Sequence, residues 1–248
     1  MNYKNIRIVL VETSHPGNIG AAARAMKNMC LEQLCLVSPK EYPSATATAR
    51  ASGADGILAN AQVFSSLEEA VADCSVVIGA SARLRSVKWP LLNPRESAIK
   101  SVAASSHAPV AIIFGREDSG LSNEELDKCQ YLVHIPTNPE YQSLNIAAAV
   151  QVICYELYLE SLEGGEVSST AEDRATGEEL EGFFKHMETA LTEIGFLKPP
   201  SCQKLLRRLR RIYNRAGLDK TDINILRGVL SAAQGKKYAW DERKNKKE

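Results

Sequence analysis

Residues 134–156 read HIPTNPEYQSLNIAAAVQVICYE, and the change of character along this stretch decides the fold. It opens on the end of a short apolar strand at Ile135-Pro136 and crosses a polar loop with a further proline. It then enters an apolar run too long to be a strand. Ser143 stands where a helix N-cap is expected, because a side-chain hydroxyl satisfies one of the amides the first turn leaves unpaired. Behind it, Ala147, Ala148 and Ala149 are small enough for another backbone to approach closely. Val150, Val152, Ile153, Tyr155 and Leu157 continue the helix. A loop of free amides running into a helix N-terminus suits a polar or anionic group.

Working outward, two further stretches lie just after apolar strands: HPGNIGAAARAMKNM at 15–29 and IIFGREDSGLSNEEL at 112–126. Strands are expected at 5–12, 34–37, 62–64, 75–79, 110–114 and 131–135. SHPGNIG reads as a turn before a helix at 21–29. Other helices are expected around 47–52, at 67–72 behind the cap Ser66, from Asn93-Pro94, and at 122–127 behind Ser122 with Glu125 completing a capping box. Strands alternating with helices at short spacing predict an α/β domain, a mostly parallel sheet flanked by helices. Ligands of such sheets sit outside the carboxyl ends of the strands, where all three stretches fall.

The 248 residues suffice for one domain with a smaller companion, and a hydrophobic fraction of 44% supports a real core. No apolar run reaches the roughly 18 residues of a membrane span. The start, MNYKNIRIVLVE, is a strand pattern rather than a signal peptide. Six cysteines never form a CxxC pair, which gives no support to a zinc or redox motif, and the four histidines are scattered. A reduced, cytoplasmic protein without a metal is expected. The net charge of zero hides a segregation: residues 197–248 carry 15 basic and 5 acidic side chains, while 166–196 carry 2 and 8. A strongly basic end points to a polyanionic partner. Gly, Ser, Thr and acidic residues at 164–177 read as a flexible linker between a domain at 1–163 and a small all-helical, basic extension at 178–248. The extension shows helices at 178–194, 205–216 and 222–233. In the middle one Leu206, Leu209, Ile212 and Tyr213 form an apolar stripe that is expected to hold Arg207, Arg208, Arg210, Arg211 and Arg215 outward.

Nucleotide-binding alternatives fail on their motifs. There is no GxxxxGK[ST] and no GxGxxG after the first strand, and Ser38-Pro39 stand where a dinucleotide enzyme places an acid. Taken together, the three stretches resemble the signature motifs of the SpoU branch of the SPOUT RNA methyltransferases. Within that branch the likeness is nearest to tRNA 2'-O-methyltransferases acting on cytidine or uridine at position 32 of the anticodon loop. Methylation at another tRNA or rRNA site, and a non-catalytic RNA-binding protein of the same fold, are the alternatives. Arg24, Glu117, Ser143 and Asn145 together weigh against the latter, since binding alone needs none of that set.

The resemblance implies a C-terminal trefoil knot, S-adenosylmethionine as cofactor without a metal, tRNA rather than DNA as partner, and a homodimer. The dimer would form through the first helix and the helix behind Ser143, with Arg24 of one subunit in the other's site. Matching residues place the cofactor at Gly79, Ala80 and Ser81, at Gly115, Arg116, Glu117, Gly120 and Leu121, and at Ile135, Pro136, Ser143, Leu144 and Asn145. The glycines would let backbone approach a flat adenine, and Leu121 and Leu144 would cover its faces. The matching catalytic set is Asn18, Arg24, Glu117, Ser143 and Asn145. Arg24 is either the base or an anchor for phosphate and developing alkoxide. A guanidinium with a pKa above about 12 favours the anchor. Arg83, Arg85 and Lys88 form a further basic edge suited to RNA phosphates.

Overall fold

The computed structural model describes residues 3–82, 89–163, 174–198 and 202–235. Arg83, Arg85, Lys88, most of the expected linker and the charged end after 235 lie outside the described residues.

Seven strands form one sheet: β1 (Ile6–Val11), β2 (Gln33–Val37), β3 (Gln62–Phe64), β4 (Val76–Ala80), β5 (Leu91–Leu92), β6 (Val110–Phe114) and β7 (Tyr131–Val133). Their order is β3-β2-β1-β6-β4-β7-β5, and every neighbouring pair is parallel. Strands covered on both faces read as unbroken apolar runs, and β6, VAIIF, is buried at all of its positions.

On one face pack α1 (Pro16–Asn28), α2 (Ala45–Ala51), α3 (Asp55–Ala59), α5 (Pro94–Ser105) and α7 (Ile146–Leu162), over a core that includes Ile8, Leu10, Ile112 and Phe114. On the other face α4 (Leu67–Val71) and α6 (Asn123–Leu126) cover Val9, Val11, Val77 and Ile113. Three helices follow: α8 (Gly177–Glu193), α9 (Gln203–Ala216) and α10 (Lys220–Ala233). They enclose their own core of Leu180, Phe183, Phe184, Met187, Leu218 and Ile223.

Three expectations are corrected. SHPGNIG is not a turn: α1 begins at Pro16, with His15 as N-cap accepting from the Gly17 amide. Proline belongs at this position because its missing N–H costs nothing in the first turn. The helix after 143 is capped by Asn145, whose side chain accepts from the Ala147 amide, and Ser143 lies exposed in the preceding loop. The short helix α3 and strand β5 were not expected at all.

The linker also ends before 177. Ala175 donates to the Leu218 carbonyl, and Arg174 donates to the Tyr131 hydroxyl at 3.1 Å. Thr176 caps α8 in a capping box with Glu179. The amides of Gly177 and Glu178 donate to the carbonyls of Cys74 and Ala72, so the first turn of α8 is bonded to the segment after α4.

Candidate active site

The three stretches converge at the carboxyl ends of β1, β6 and β7. The joint between them is a chain of side-chain hydrogen bonds. Glu117, just after β6, accepts from Asn18 Nδ2 at 2.9 Å, from the Ser14 amide at 3.1 Å and from the Ser14 hydroxyl at 3.0 Å. Asn18 then accepts from Asn145 Nδ2 at 3.1 Å, and Asn145 Oδ1 accepts from the Ala147 amide at 2.9 Å. One carboxylate therefore holds the entry to α1, and two amides carry that order to the start of α7. Burial works to raise the Glu117 pKa, but the bonds from Asn18 and Ser14 outweigh it and the net shift is downward. Glu117 is an ionised anchor whose oxygens are taken up by donors.

Arg116 turns away from this chain. Its guanidinium bonds Glu12 at 2.7 and 3.0 Å and Glu125 at 3.0 and 3.0 Å. Those bonds raise its pKa further. Glu12 sits at a positive φ of 46° immediately after β1, a conformation that costs a non-glycine residue on the order of 1 kcal/mol. The Arg116 contact is foremost in lowering the Glu12 pKa, and it holds this carboxylate in place. Arg116 thus links the ends of β1, β6 and α6.

Between the loops after β4, β6 and β7 lies a cleft of about 460 Å³, within the range of small-molecule sites. Of the expected cofactor residues, Ala80, Ser81, Gly115, Arg116, Glu117, Gly120, Leu121, Ile135, Ser143 and Leu144 line it. Gly79, Pro136 and Asn145 do not. Gly79 is buried beneath the wall, where an added Cβ would come within 2.9 Å of Cys129 Sγ and 3.0 Å of Leu121 Cδ1. Its small size serves packing rather than approach to a ligand. Gly115 does need to be glycine at the cleft, because a Cβ there would stand 2.2 Å from the Gly120 carbonyl carbon. Arg116 and Gly120 exchange backbone bonds at 3.2 and 2.9 Å, which closes the loop into a tight hairpin. The β4 loop is tied to the β7 loop by the Ser81 amide donating to the Val133 carbonyl.

Sequence reasoning missed Phe114, Val133, Ile146 and Ala149 as walls, because apolar strand and helix residues signal only core. It also missed Asp118 and Glu140 on the lining. Arg24 lies exposed on α1, among the described residues without a hydrogen bond or ion pair.

The basic helix α9 differs most from expectation. Arg207 bonds Asp127 at 2.6 Å, Arg210 makes a bidentate pair with Glu181 at 2.7 and 2.7 Å, and Arg211 lies over the Trp89 ring. Ile212, assigned to the packed stripe, is exposed. Only Arg208 and Arg215 of the five point to solvent. The apolar stripe rotates α9 so that one basic edge meets acids and aromatic faces instead of water.

The chain matches the family model described as SpoU rRNA Methylase family over residues 5–155, and that described as tRNA methyltransferase TrmJ, C-terminal domain, over residues 178–246. It is 50% identical over 242 residues to the tRNA (cytidine/uridine/adenosine-2'-O-)-methyltransferase TrmJ of Pseudomonas aeruginosa, covering 92% of this chain and 93% of that one. It is 47% identical over 233 residues to the tRNA (cytidine/uridine-2'-O-)-methyltransferase TrmJ of Pectobacterium atrosepticum, covering 93% and 97%. Among solved structures, TrmJ from Z. mobilis superposes with a TM-score of 0.80 at 36% identity, covering 91% of this chain and 97% of that one.

Proposed function

Because the chain belongs to the SpoU rRNA methylase family and matches the TrmJ C-terminal domain, we propose that it is an S-adenosylmethionine-dependent tRNA methyltransferase. Its target in this reading is the ribose 2'-hydroxyl of cytidine and uridine at position 32 of the anticodon loop. The observation that carries the catalytic reading is the hydrogen-bonded chain Glu117–Asn18–Asn145 running beside the cleft.

The residues present fit the cofactor. Leu121, Val133, Leu144 and Ile146 offer apolar walls for a flat base. Glu117, Asp118 and Glu140 give an acidic lining suited to a cationic ligand, while Arg116 is neutralised by two glutamates. When bound, S-adenosylmethionine supplies a methyl group whose S–C bond breaks as the ribose O–C bond forms. Glu117 is too weak a base to take the hydroxyl proton, and it serves to fix Asn18 and the entry to α1. Arg24 grips phosphate and stabilises the developing alkoxide by charge-assisted hydrogen bonds, and the proton leaves to solvent. Ser143 and Leu144 close over the cleft from the exposed loop before α7.

The same reading includes the C-terminal trefoil knot, a separate helical tRNA-binding domain after residue 177, and a homodimer through α1 and α7. Helix α7 is apolar nearly all round, yet Tyr155 and Leu162 are 47% and 64% exposed in the single chain. A helix of that kind calls for burial on every side. Light scattering is expected to show a dimer, and an active monomer would exclude this arrangement. The central test treats tRNA with the purified protein and S-adenosylmethionine, then maps ribose methyls by mass spectrometry. A single new methyl at position 32 is expected, and methylation elsewhere or none would refute the assignment.

A further inference from the structure

Helices α8 and α10 run side by side in the same direction. Glu179 pairs with Lys220 at their starts, and Glu193 accepts from Gln234 at their ends. Between them lies an open groove of about 640 Å³. One wall is a helical stripe of Gly182, Lys185, His186 and Thr189, and the other is Asn224, Arg227, Ser231 and Gln234. No lining residue is a carboxylate, although α8 carries Glu178, Glu179, Glu181, Glu188 and Glu193. The acids of α8 fall on other faces of the helix, and the groove is left with two cations and a row of neutral hydrogen-bonding groups.

Those groups are largely unspent. Among the described residues Asn224, Arg227 and Ser231 make no side-chain hydrogen bond or ion pair. Lys185 reaches Glu68 only at 3.5 Å, with its side chain 69% exposed. His186 is the exception, with Nε2 against Gln234 Oε1 at 3.1 Å and Nδ1 buried. Arg207, Arg210 and Arg211 are in the opposite condition, already engaged by Asp127, Glu181 and Trp89.

We propose that the α8–α10 groove, rather than the inner edge of α9, is a binding surface for the phosphodiester backbone of the RNA substrate. This rests on the tRNA reading above and assigns the grip to particular residues. Arg227 and Lys185 supply the charge, while Asn224 and Ser231 supply hydrogen bonds to phosphate oxygens. Contacts of this kind position a nucleic acid without reading its sequence. At a rise of 1.5 Å per helical residue the walls run roughly 10–15 Å, enough for about three to four nucleotides of a stacked strand at ~3.4 Å each.

The test uses the full chain and unmodified tRNA, with binding measured by fluorescence anisotropy across a salt series. Arg227→Ala is expected to weaken binding several-fold and to lower the slope of log affinity against log salt by about 0.7–0.9, one phosphate's share. Gly182→Glu is the second variant. A Cβ there meets nothing within 4 Å, and glutamate favours a helix over glycine, so folding is preserved while a carboxylate enters the groove. It is expected to weaken tRNA binding at least as much and to raise KM for tRNA, with S-adenosylmethionine affinity unchanged by calorimetry. If wild type binds and methylates tRNA while both variants match it in affinity and salt slope, the groove assignment is overturned and the substrate reading stands. If wild type neither binds nor methylates tRNA, the substrate reading falls and the groove falls with it.

Discussion

In the proposed reading neither Glu117 nor Arg24 is a general base: Glu117 fixes Asn18 and the entry to α1, and Arg24 anchors phosphate and the developing alkoxide. Glu117→Gln would set an amide NH2 group either against the Ser14 amide or against the His15 amide and the Asn18 side chain, donor against donor. We expect a loss of about 1–2 kcal/mol in thermal stability, since hydrogen bonds to a charged acceptor contribute on that order, together with a large drop in methylation. Calorimetric melting and single-turnover rates would check both. With its folded pKa below the ordinary 4.5, Glu117 contributes stability above that value and loses it only as pH falls through the lowered pKa. The neutral-range pH–rate profile should therefore carry no limb that Glu117→Gln removes. Arg24→Ala is expected to abolish methylation while S-adenosylmethionine affinity stays within a few-fold. Loss of cofactor binding in a folded variant would move Arg24 into the nucleotide pocket. The residue types of the site were legible because polar side chains interrupt apolar runs at Asn18, Glu117 and Asn145. What they bond was not, since Glu117 and Asn18 lie 99 positions apart and only the sheet brings them together.

At the scale of elements, Gly20 decides how closely α1 and α2 approach. A Cβ at Gly20 would stand 2.0 Å from the Ala47 carbonyl oxygen, and backbone cannot yield as a flexible side chain does. Gly20→Ala is expected to cost about 1–3 kcal/mol or more and to displace the first turn of α1, where Asn18 sits. A lower melting temperature accompanied by a loss of methylation would be the signature. A stable, fully active variant would show that the two helices separate freely. The strands were legible from their apolar runs, and capped helices such as α4, α5 and α6 from Ser66, Asn93 and Ser122. Two kinds of element escaped. The two-residue β5 and five-residue α3 are too short to show a period. For α9, the apolar stripe identified a helix but not the direction of its basic edge, which depends on Asp127 from another part of the chain.

The whole molecule is joined across α8 and α9 by charge. Glu181 accepts from Arg210 and, at 2.9 Å, from Lys128 of the sheet domain. Burial opposes ionisation of Glu181, yet the bonds from Arg210 and Lys128 prevail and bring its pKa down from 4.5 to about 2. A depressed carboxylate contributes stability above its unfolded pKa and loses it as pH falls, here between 4.5 and about 2. A shift of that size corresponds to roughly 3 kcal/mol. Asp127 acts in the other sense: burial raises its pKa despite Arg207, so the stability present below its ordinary value of 3.8 is lost as pH rises from there through the raised value. Acid is thus expected to release the helical module before the sheet domain melts. Trp89 emission, read in a Trp240→Phe background, should change over that window as Arg211 leaves its ring. A single transition shared with the far-ultraviolet signal would show that the two parts unfold together.

The place of β6 in the sheet also bears on how the chain is made. β1 and β4 never touch; each pairs with β6, which lies between them. On the ribosome, β1 to β4 emerge well before residues 110–114, and at about 5–20 residues per second the gap between β4 and β6 lasts a few seconds. Through that interval one edge of β1 and both edges of β4 are unpaired, since β4 pairs only with β6 and the still later β7, and open edges are where strands pair with the wrong neighbour. Parallel pairings across such separations are slow to form in any case. The strand whose loop carries Glu117 and the cleft hairpin is therefore also the one whose arrival joins β4 to β1, and a nascent chain stalled before residue 110 should be held by chaperones with β1 to β3 paired and β4 without a neighbour.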